Sequence, residues 1–398
     1  MAKKLLPLVV SIQFLLALTL GCGSSNMMPP PPPVSQSEFL YATTFDPQGT
    51  NSKLMTFKLD LETGVLSSTS NVAMPPTFGV VADPASKFLY LSDPNPMLHA
   101  IDIDSIDPKS GLLTPDGGFV LDDGICPFCP PISGPGPLTM DSKGKFLYYG
   151  SNTFGGGLSE VIGGLSVNSS NGSLSLVPGS PFAADGVPFG VLVHPSGHFL
   201  YTENLPTTAP VFAVQSISGF SIDSTGALTP VPGSPFAPPV NADAPGFAMH
   251  PTGKFLYASA GAAGNGILAW SVDSTTGVLT PLPASPFVAG TTPVGVAMNP
   301  SGKFLYSSNG VGGGIWGFTV DAGSGALTPM SGSPFNPSTV VSECVSDPSG
   351  KFLVAMDSKN KAIIVFSINS STGTLSPIGN PVPVGAITLS LVLAKAPQ

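Results

Sequence analysis

A turn-and-strand signature that recurs seven times restricts the fold of this chain more than any other feature. Its fullest form is Pro300-Ser301-Gly302-Lys303-Phe304-Leu305-Tyr306. The aromatic-led tripeptide reads Phe39-Leu40-Tyr41, Phe88-Leu89-Tyr90, Phe146-Leu147-Tyr148, Phe199-Leu200-Tyr201, Phe255-Leu256-Tyr257, Phe304-Leu305-Tyr306 and Phe352-Leu353-Val354, in steps of 49, 58, 53, 56, 49 and 48 residues. A regular step near 50 residues marks a repeat architecture and settles the fold class before any other argument. A second anchor follows each tripeptide, with glycine at Gly64, Gly111, Gly172, Gly226, Gly277, Gly325 and Gly373, two residues ahead of a leucine. An Asp or Asn stands three or four residues before each glycine, as at Asp273 and Asp321. Asx side chains cap their own backbone and glycine accepts positive φ, so each such pair predicts a tight turn.

Each unit therefore reads strand, turn, strand, loop, strand, turn, strand. In the sixth repeat the strands are expected at 294–298, 304–307, 315–320 and 326–329. Four antiparallel strands per unit of this length make a propeller blade. The expected fold is all-β, a seven-bladed β-propeller over residues 38–395. Phe39 has no turn or inner strand ahead of it, whereas the chain ends with an additional apolar strand at 385–393. That last strand is expected to be the innermost strand of the first blade, closing the ring so that no sheet edge stays open at the join.

Composition agrees and excludes some functions. There are 47 Gly, 45 Pro and only 9% charged residues, which fits many turns between short strands. The formal net charge is −9 and every basic residue is lysine. Such a chain does not attract nucleic acid or anionic lipid, and it lacks the bidentate ligand best suited to phosphate and carboxylate.

Lys3-Lys4 and the apolar run from Leu5 to Leu20 read as a secretory signal over residues 1–21. Gly21-Cys22 resembles the end of a bacterial lipoprotein signal, which implies lipidation of Cys22. Thr19 and Leu20 stand where that pattern has Leu and a small residue, and ordinary cleavage nearby is the alternative. Residues 22–37 include Pro29 to Pro33 and form a semi-rigid Ser/Pro-rich tether.

The blade signature resembles the lactonase family of seven-bladed propellers. The resemblance rests on the turns His194-Pro195-Ser196-Gly197, His250-Pro251-Thr252-Gly253 and Asn299-Pro300-Ser301-Gly302, the Phe-Leu-Tyr that follows each, and the Gly-x-Leu-Thr-Pro ends at Gly226, Gly277 and Gly325. It covers the chain after the tether and implies 6-phosphogluconolactonase-like hydrolysis of a lactone at the mouth of the central channel. The family's lactonase members carry Gly-Pro-Arg-His ahead of a His-Pro turn. Here the matching segments are Val187-Pro188-Phe189-Gly190, residues 243–246 and Thr292-Pro293-Val294-Gly295, none with the Arg-His pair. Holding a phosphate and stabilising an oxyanion both call for cations or aimed donors.

Counting eight residues back from each repeat lysine gives the start of the inner strand. The set is Gly79, Pro137, Gly190, Gly246, Gly295, Glu343 and, in the C-terminal strand, Gly385. Glu343 alone carries a functional group, so it is the first catalytic candidate, with Glu203 the second. The ends of the second strands add Asp93, Asn204, Asn309 and Asp357 as ligand-binding candidates. Acids from several blades meeting on one axis could hold a hard cation such as calcium, or a polyol. Capping of turns is the plainer role for the same residues. His194 and His250 occupy a turn position filled elsewhere by Asp or Asn, and capping accounts for them. Cys126 and Cys129 lie in the longest insertion, where a local disulfide fits an exported protein better than redox chemistry. Cys344 is expected to be a buried small hydrophobe.

The expected protein is thus an exported, lactonase-like propeller, monomeric, touching the membrane only through its N-terminal lipid. It binds a small polar ligand or an envelope component, as a binding or scaffold lipoprotein. The alternative is a lactone hydrolase.

Overall fold

The computed structural model describes residues 37–45, 52–75, 77, 79–93, 100–121, 133–153, 160–206, 214, 216–240, 242, 246–264, 266–311 and 313–395. They form seven antiparallel sheets, each built on a path of four strands. The sixth blade runs Pro293–Met298, Phe304–Asn309, Ile315–Val320 and Leu327–Pro329 from the axis outward. The inner strands of all seven sheets pack each on the next, and the last, Ile387–Lys395, packs on Val80–Ala82 of the second blade. The circle is closed. No helix among the described residues is long and apolar enough to cross a membrane.

The closure is the one the repeat pattern predicts. Ile387–Lys395 pairs antiparallel with Ser37–Phe45 and lies innermost in a sheet whose outer strands are Lys53–Asp60 and Leu66–Ala73. Its bounds differ from the expected 385–393. Gly385 is exposed with φ of 77° and belongs to the turn before the strand.

The apolar core is divided into seven layers, one in each joint between neighbouring blades. Phe199 and Tyr201 of the fourth blade pack with Leu256 and Trp270 of the fifth. Phe352 of the seventh packs with Leu40 and Phe57 of the first. Strand alternation explains the tripeptide, because successive side chains point to opposite sheet faces. Phe and Tyr face the next blade, and the Leu between them faces the previous one.

The two anchors of the repeat turn out to be partners across a joint. The Gly-x-Leu glycine sits against the phenylalanine ring of the preceding blade. A Cβ on Gly111 would lie 2.3 Å from Phe39 Cδ1, and one on Gly277 would lie 2.5 Å from Phe199 Cδ1. The carbonyl of the same glycine accepts the preceding blade's tyrosine hydroxyl. Tyr41 donates to Gly111 at 3.0 Å, Tyr148 to Gly226 at 2.8 Å, Tyr201 to Gly277 at 2.8 Å and Tyr306 to Gly373 at 2.7 Å. Tyr90 and Tyr257 do the same to Gly172 and Gly325. Tyr201→Phe should therefore cost about 1–2 kcal/mol in urea unfolding, because a buried carbonyl loses its donor. A change within a few tenths of a kcal/mol would show that the tie contributes nothing net.

A second motif repeats without having been anticipated. Ser180, Ser234, Ser285 and Ser333 each precede a proline in cis, and their Oγ atoms accept backbone N–H groups of the third strand at 3.0 Å. The phenylalanine that follows each of these prolines pairs with the third strand, in blades three to six.

Candidate functional site

The rim of the channel lies where the second strands end and the inner strands begin. Register places one residue of each second strand, four after the anchor phenylalanine, opposite the start of an inner strand. Glu203 faces Gly190, Ser308 faces Gly295, and Met356 faces Glu343. Thr43 of the first blade faces Ser390. The seventh rim position is therefore Ser390, not Gly385. The closing strand carries a bulge at this point, and the lysine ruler cannot be applied to a strand whose partner sits at the other end of the chain.

At two of the four inner-strand glycines a neighbouring backbone leaves no room for a side chain. A Cβ on Gly79 would meet the Gly136 carbonyl at 2.2 Å, and one on Gly246 would meet the Val294 carbonyl at 2.7 Å. Beside this ring, side chains tie each blade to the next. Thr43 Oγ1 donates to the Thr77 carbonyl at 3.0 Å, Ser259 Oγ to that of Val294 at 2.8 Å, and Ser308 Oγ to that of Ser342 at 3.4 Å.

Both glutamates singled out as catalytic candidates belong to these ties. Glu203 is 1% exposed and accepts the N–H of Gly246 in the fifth blade. Gly190 makes room for it, since a Cβ there would lie 2.7 Å from Oε2. Glu343 crosses in the same sense from the seventh blade, and its Oε1 accepts the N–H of Leu391 at 3.3 Å. In each case Oε2 is buried with no hydrogen-bond partner among the described residues. Burial pushes the Glu203 carboxyl well above its ordinary value and that of Glu343 to about 8. A carboxyl held neutral near pH 7 is the kind that can act as a general acid. Here the two groups lie between blades three joints apart, each held against a neighbouring backbone.

The ligand-binding candidates are likewise placed in separate blades. Asn204 is fully buried, donates to Ser216 Oγ at 3.1 Å and Ser218 Oγ at 2.8 Å, and accepts from Thr202 Oγ1 at 2.7 Å. Ser216 donates onward to Asp185 Oδ2 at 2.8 Å. Asn309 accepts the Thr292 N–H at 3.4 Å. Asp357 caps its own turn, accepting the N–H groups of Lys359 and Asn360 at 3.1 and 3.2 Å. Asp93 is half-buried at the end of Phe88–Ser92, near enough to Asp102 to help raise that carboxyl above its usual range, after burial. Among the described residues no three His, Cys, Asp or Glu side chains are grouped so as to hold a metal ion.

At the opposite end, the turn histidines do more than cap. The Nε2–H of His194 donates to the Gly253 carbonyl at 2.9 Å, and that of His250 to Gly302 at 3.1 Å. Their Nδ1 atoms accept the N–H of Ser196 and Thr252. Burial lowers both imidazole pKa values, which keeps them neutral. Asn299 makes the same tie to Gly350 at 3.0 Å, whereas Asp141 and Asp347 cap only their own turns. Cys344 is buried as expected, and burial pushes its thiol up to about 12. Cys22, Cys126, Cys129 and His99 lie outside the described residues.

The cross-blade role of all these groups was missed because a repeat ruler aligns equivalent positions and says nothing about which side chain of one repeat meets which backbone of the next. One signal was available. Each Gly-x-Leu after the first is preceded, one repeat earlier, by a Phe-Leu-Tyr.

Residues 213–345 and 291–392 match the family described as Lactonase, 7-bladed beta-propeller. No curated protein matches the chain by sequence. Among solved structures, one from Bacteroides fragilis, provisionally described as a 6-phosphogluconolactonase, has a TM-score of 0.71 at 19% identity, covering 92% of this chain and 100% of its own. A periplasmic gluconolactonase of Pseudomonas aeruginosa has a TM-score of 0.70 at 16% identity, covering 91% and 100%. A Lactobacillus plantarum protein is equally similar, with a TM-score of 0.70 at 16% identity, covering 90% and 99%. At these identities the likeness is one of fold.

Proposed function

We propose that this chain is an exported, lactonase-type propeller whose channel rim binds a small, uncharged polar ligand without turning it over. The observation that carries this reading is the occupation of its rim carboxyls. Glu203 and Glu343 are tied into joints between blades, on opposite sides of the ring, and among the described residues no second acid or cation acts on either. The chain has no arginine to take a phosphate. What the rim offers is backbone polar groups beside a ring dominated by glycine, which suits hydroxyls and carbonyls. Export is supported by the Lys3-Lys4 and apolar N-terminus, and by the periplasmic assignment of one similar structure. The tether of prolines after Cys22 suits a lipid-anchored binding module of the cell envelope.

Lactone hydrolysis at the same rim is the second reading, favoured by the lactonase-family match of residues 213–392. A panel of sugar lactones separates the two, assayed with and without calcium on the wild type, Glu203→Gln and Glu343→Gln. The expected result is saturable binding of neutral lactones or polyols by calorimetry, with hydrolysis no faster than in buffer. Turnover of 6-phosphogluconolactone would overturn the binding reading. Turnover that persists in both variants would also remove the two glutamates from any catalytic role.

A further inference from the structure

Three departures from the repeat fall together at one joint. Between the seventh blade and the first, Glu343 stands where five of the other inner strands have Gly or Pro and the closing strand has Ser390. In the middle of the same joint Val354 replaces the tyrosine, so Gly64 receives no hydroxyl of the kind that ties the other six joints. At the far end, Glu38 occupies the place held elsewhere by Lys87, Lys145, His198, Lys254, Lys303 and Lys351. Those six side chains are exposed, whereas Glu38 is 2% exposed.

Both acids are set against the strand that closes the ring. Glu343 accepts the N–H of Leu391, and Glu38 lies in register with Lys395. Each has an Oε2 that is buried with no partner among the described residues. An unpaired carboxylate in such a place is costly, while the protonated form is not. The neighbourhood does not compensate. Asp347 of the seventh blade faces Glu38 and opposes its ionisation, and only the exposed Lys395 favours it. Among the described residues the titratable neighbour of Glu343 is Cys344, whose thiol stays protonated, and the group that favours its ionisation is the Leu391 N–H.

We propose that the joint between the seventh and first blades is a proton-dependent latch, closed while Glu38 and Glu343 are protonated and loosened when each releases its proton to solvent. Burial, helped at Glu38 by Asp347, holds both carboxyls near 8 in the closed ring, against an ordinary value of 4.5. The sign follows from linkage. The closed state binds more protons between the two values, so the latch is at full strength below about 4.5 and weakens as pH rises through about 8. Within that window the ratio of closed to open falls about tenfold per pH unit for each carboxyl. Glu203 also titrates upward but lies in the joint between blades four and five, so a local readout is needed.

The test is amide hydrogen exchange of the full chain at about pH 6 and about pH 9, corrected for intrinsic rates, comparing the closing strand Ile387–Lys395 with the inner strand Pro293–Met298. In the wild type, protection of the closing strand is expected to fall by about a hundredfold for each carboxyl, while that of 293–298 holds. In Glu38→Gln/Glu343→Gln, whose amides imitate the protonated acids, the fall should vanish. An equal fall in both strands, or an undiminished fall in the double variant, overturns the proposal. Should the double variant fail to fold, the single variants decide, since each must remove part of the fall. If both retain all of it, the latch is refuted.

Discussion

A chain ending at Val384 is expected to lose cooperative unfolding altogether, and not merely to melt a few degrees lower. The missing strand pairs with Ser37–Phe45 over eight residue positions, from Glu38 with Lys395 to Phe45 with Ile387. It also supplies two core layers at once. Leu391 belongs to the joint between blades seven and one, and Ala394 to the joint between blades one and two. Lost ladder bonds and apolar burial together reach on the order of 10 kcal/mol, comparable to the whole stability of an ordinary domain. Near-UV circular dichroism through a thermal ramp would measure this. A truncated chain with the full-length transition would mean that the circle does not depend on its closing strand.

Gly111→Ala should cost about 3–5 kcal/mol, adding the left-handed backbone penalty to overpacking of a core. Gly111 has φ of 70°, and its Cβ would lie 2.3 Å from Cδ1 of Phe39. Gly197 provides the control. It has φ of 73° with nothing within 4 Å of a Cβ, so Gly197→Ala should show the backbone penalty alone, about 1–2 kcal/mol. Equal losses in the two variants, measured by urea unfolding, would remove the claim that the Gly-x-Leu glycine is a packing surface for the blade before it.

How much was legible in advance differs between fold and site. The Phe-Leu-Tyr and Gly-x-Leu anchors carried blade number, strand order and the use of the C-terminal strand, because a period of about 50 residues and an unpaired first anchor admit few solutions. Glu343 was legible as an exception to the glycine ring. Its direction was not. Its choice as the first catalytic candidate rested on the strand's position in the blade, whereas its side chain runs sideways to Leu391. Likewise Asp357 and Glu203 read alike as acids at the end of a second strand. One caps its own turn and the other crosses a joint, since adjacent residues on a strand face opposite blades.

By itself, then, the order of residues determined that seven blades form and that the last strand belongs to the first. Those outcomes depend on local strand and turn propensities repeated at a fixed interval, and on the need to leave no open edge. Tertiary structure alone decided which polar groups meet. The tyrosine hydroxyls, the turn histidines, Glu203 and Glu343 all find partners in the next repeat, at separations set by loops of varying length. That is why Pro300 to Tyr306 reads in isolation as one turn and one strand. In the ring, its Gly302 carbonyl receives His250 of the blade before, and its Tyr306 hydroxyl reaches Gly373 of the blade after.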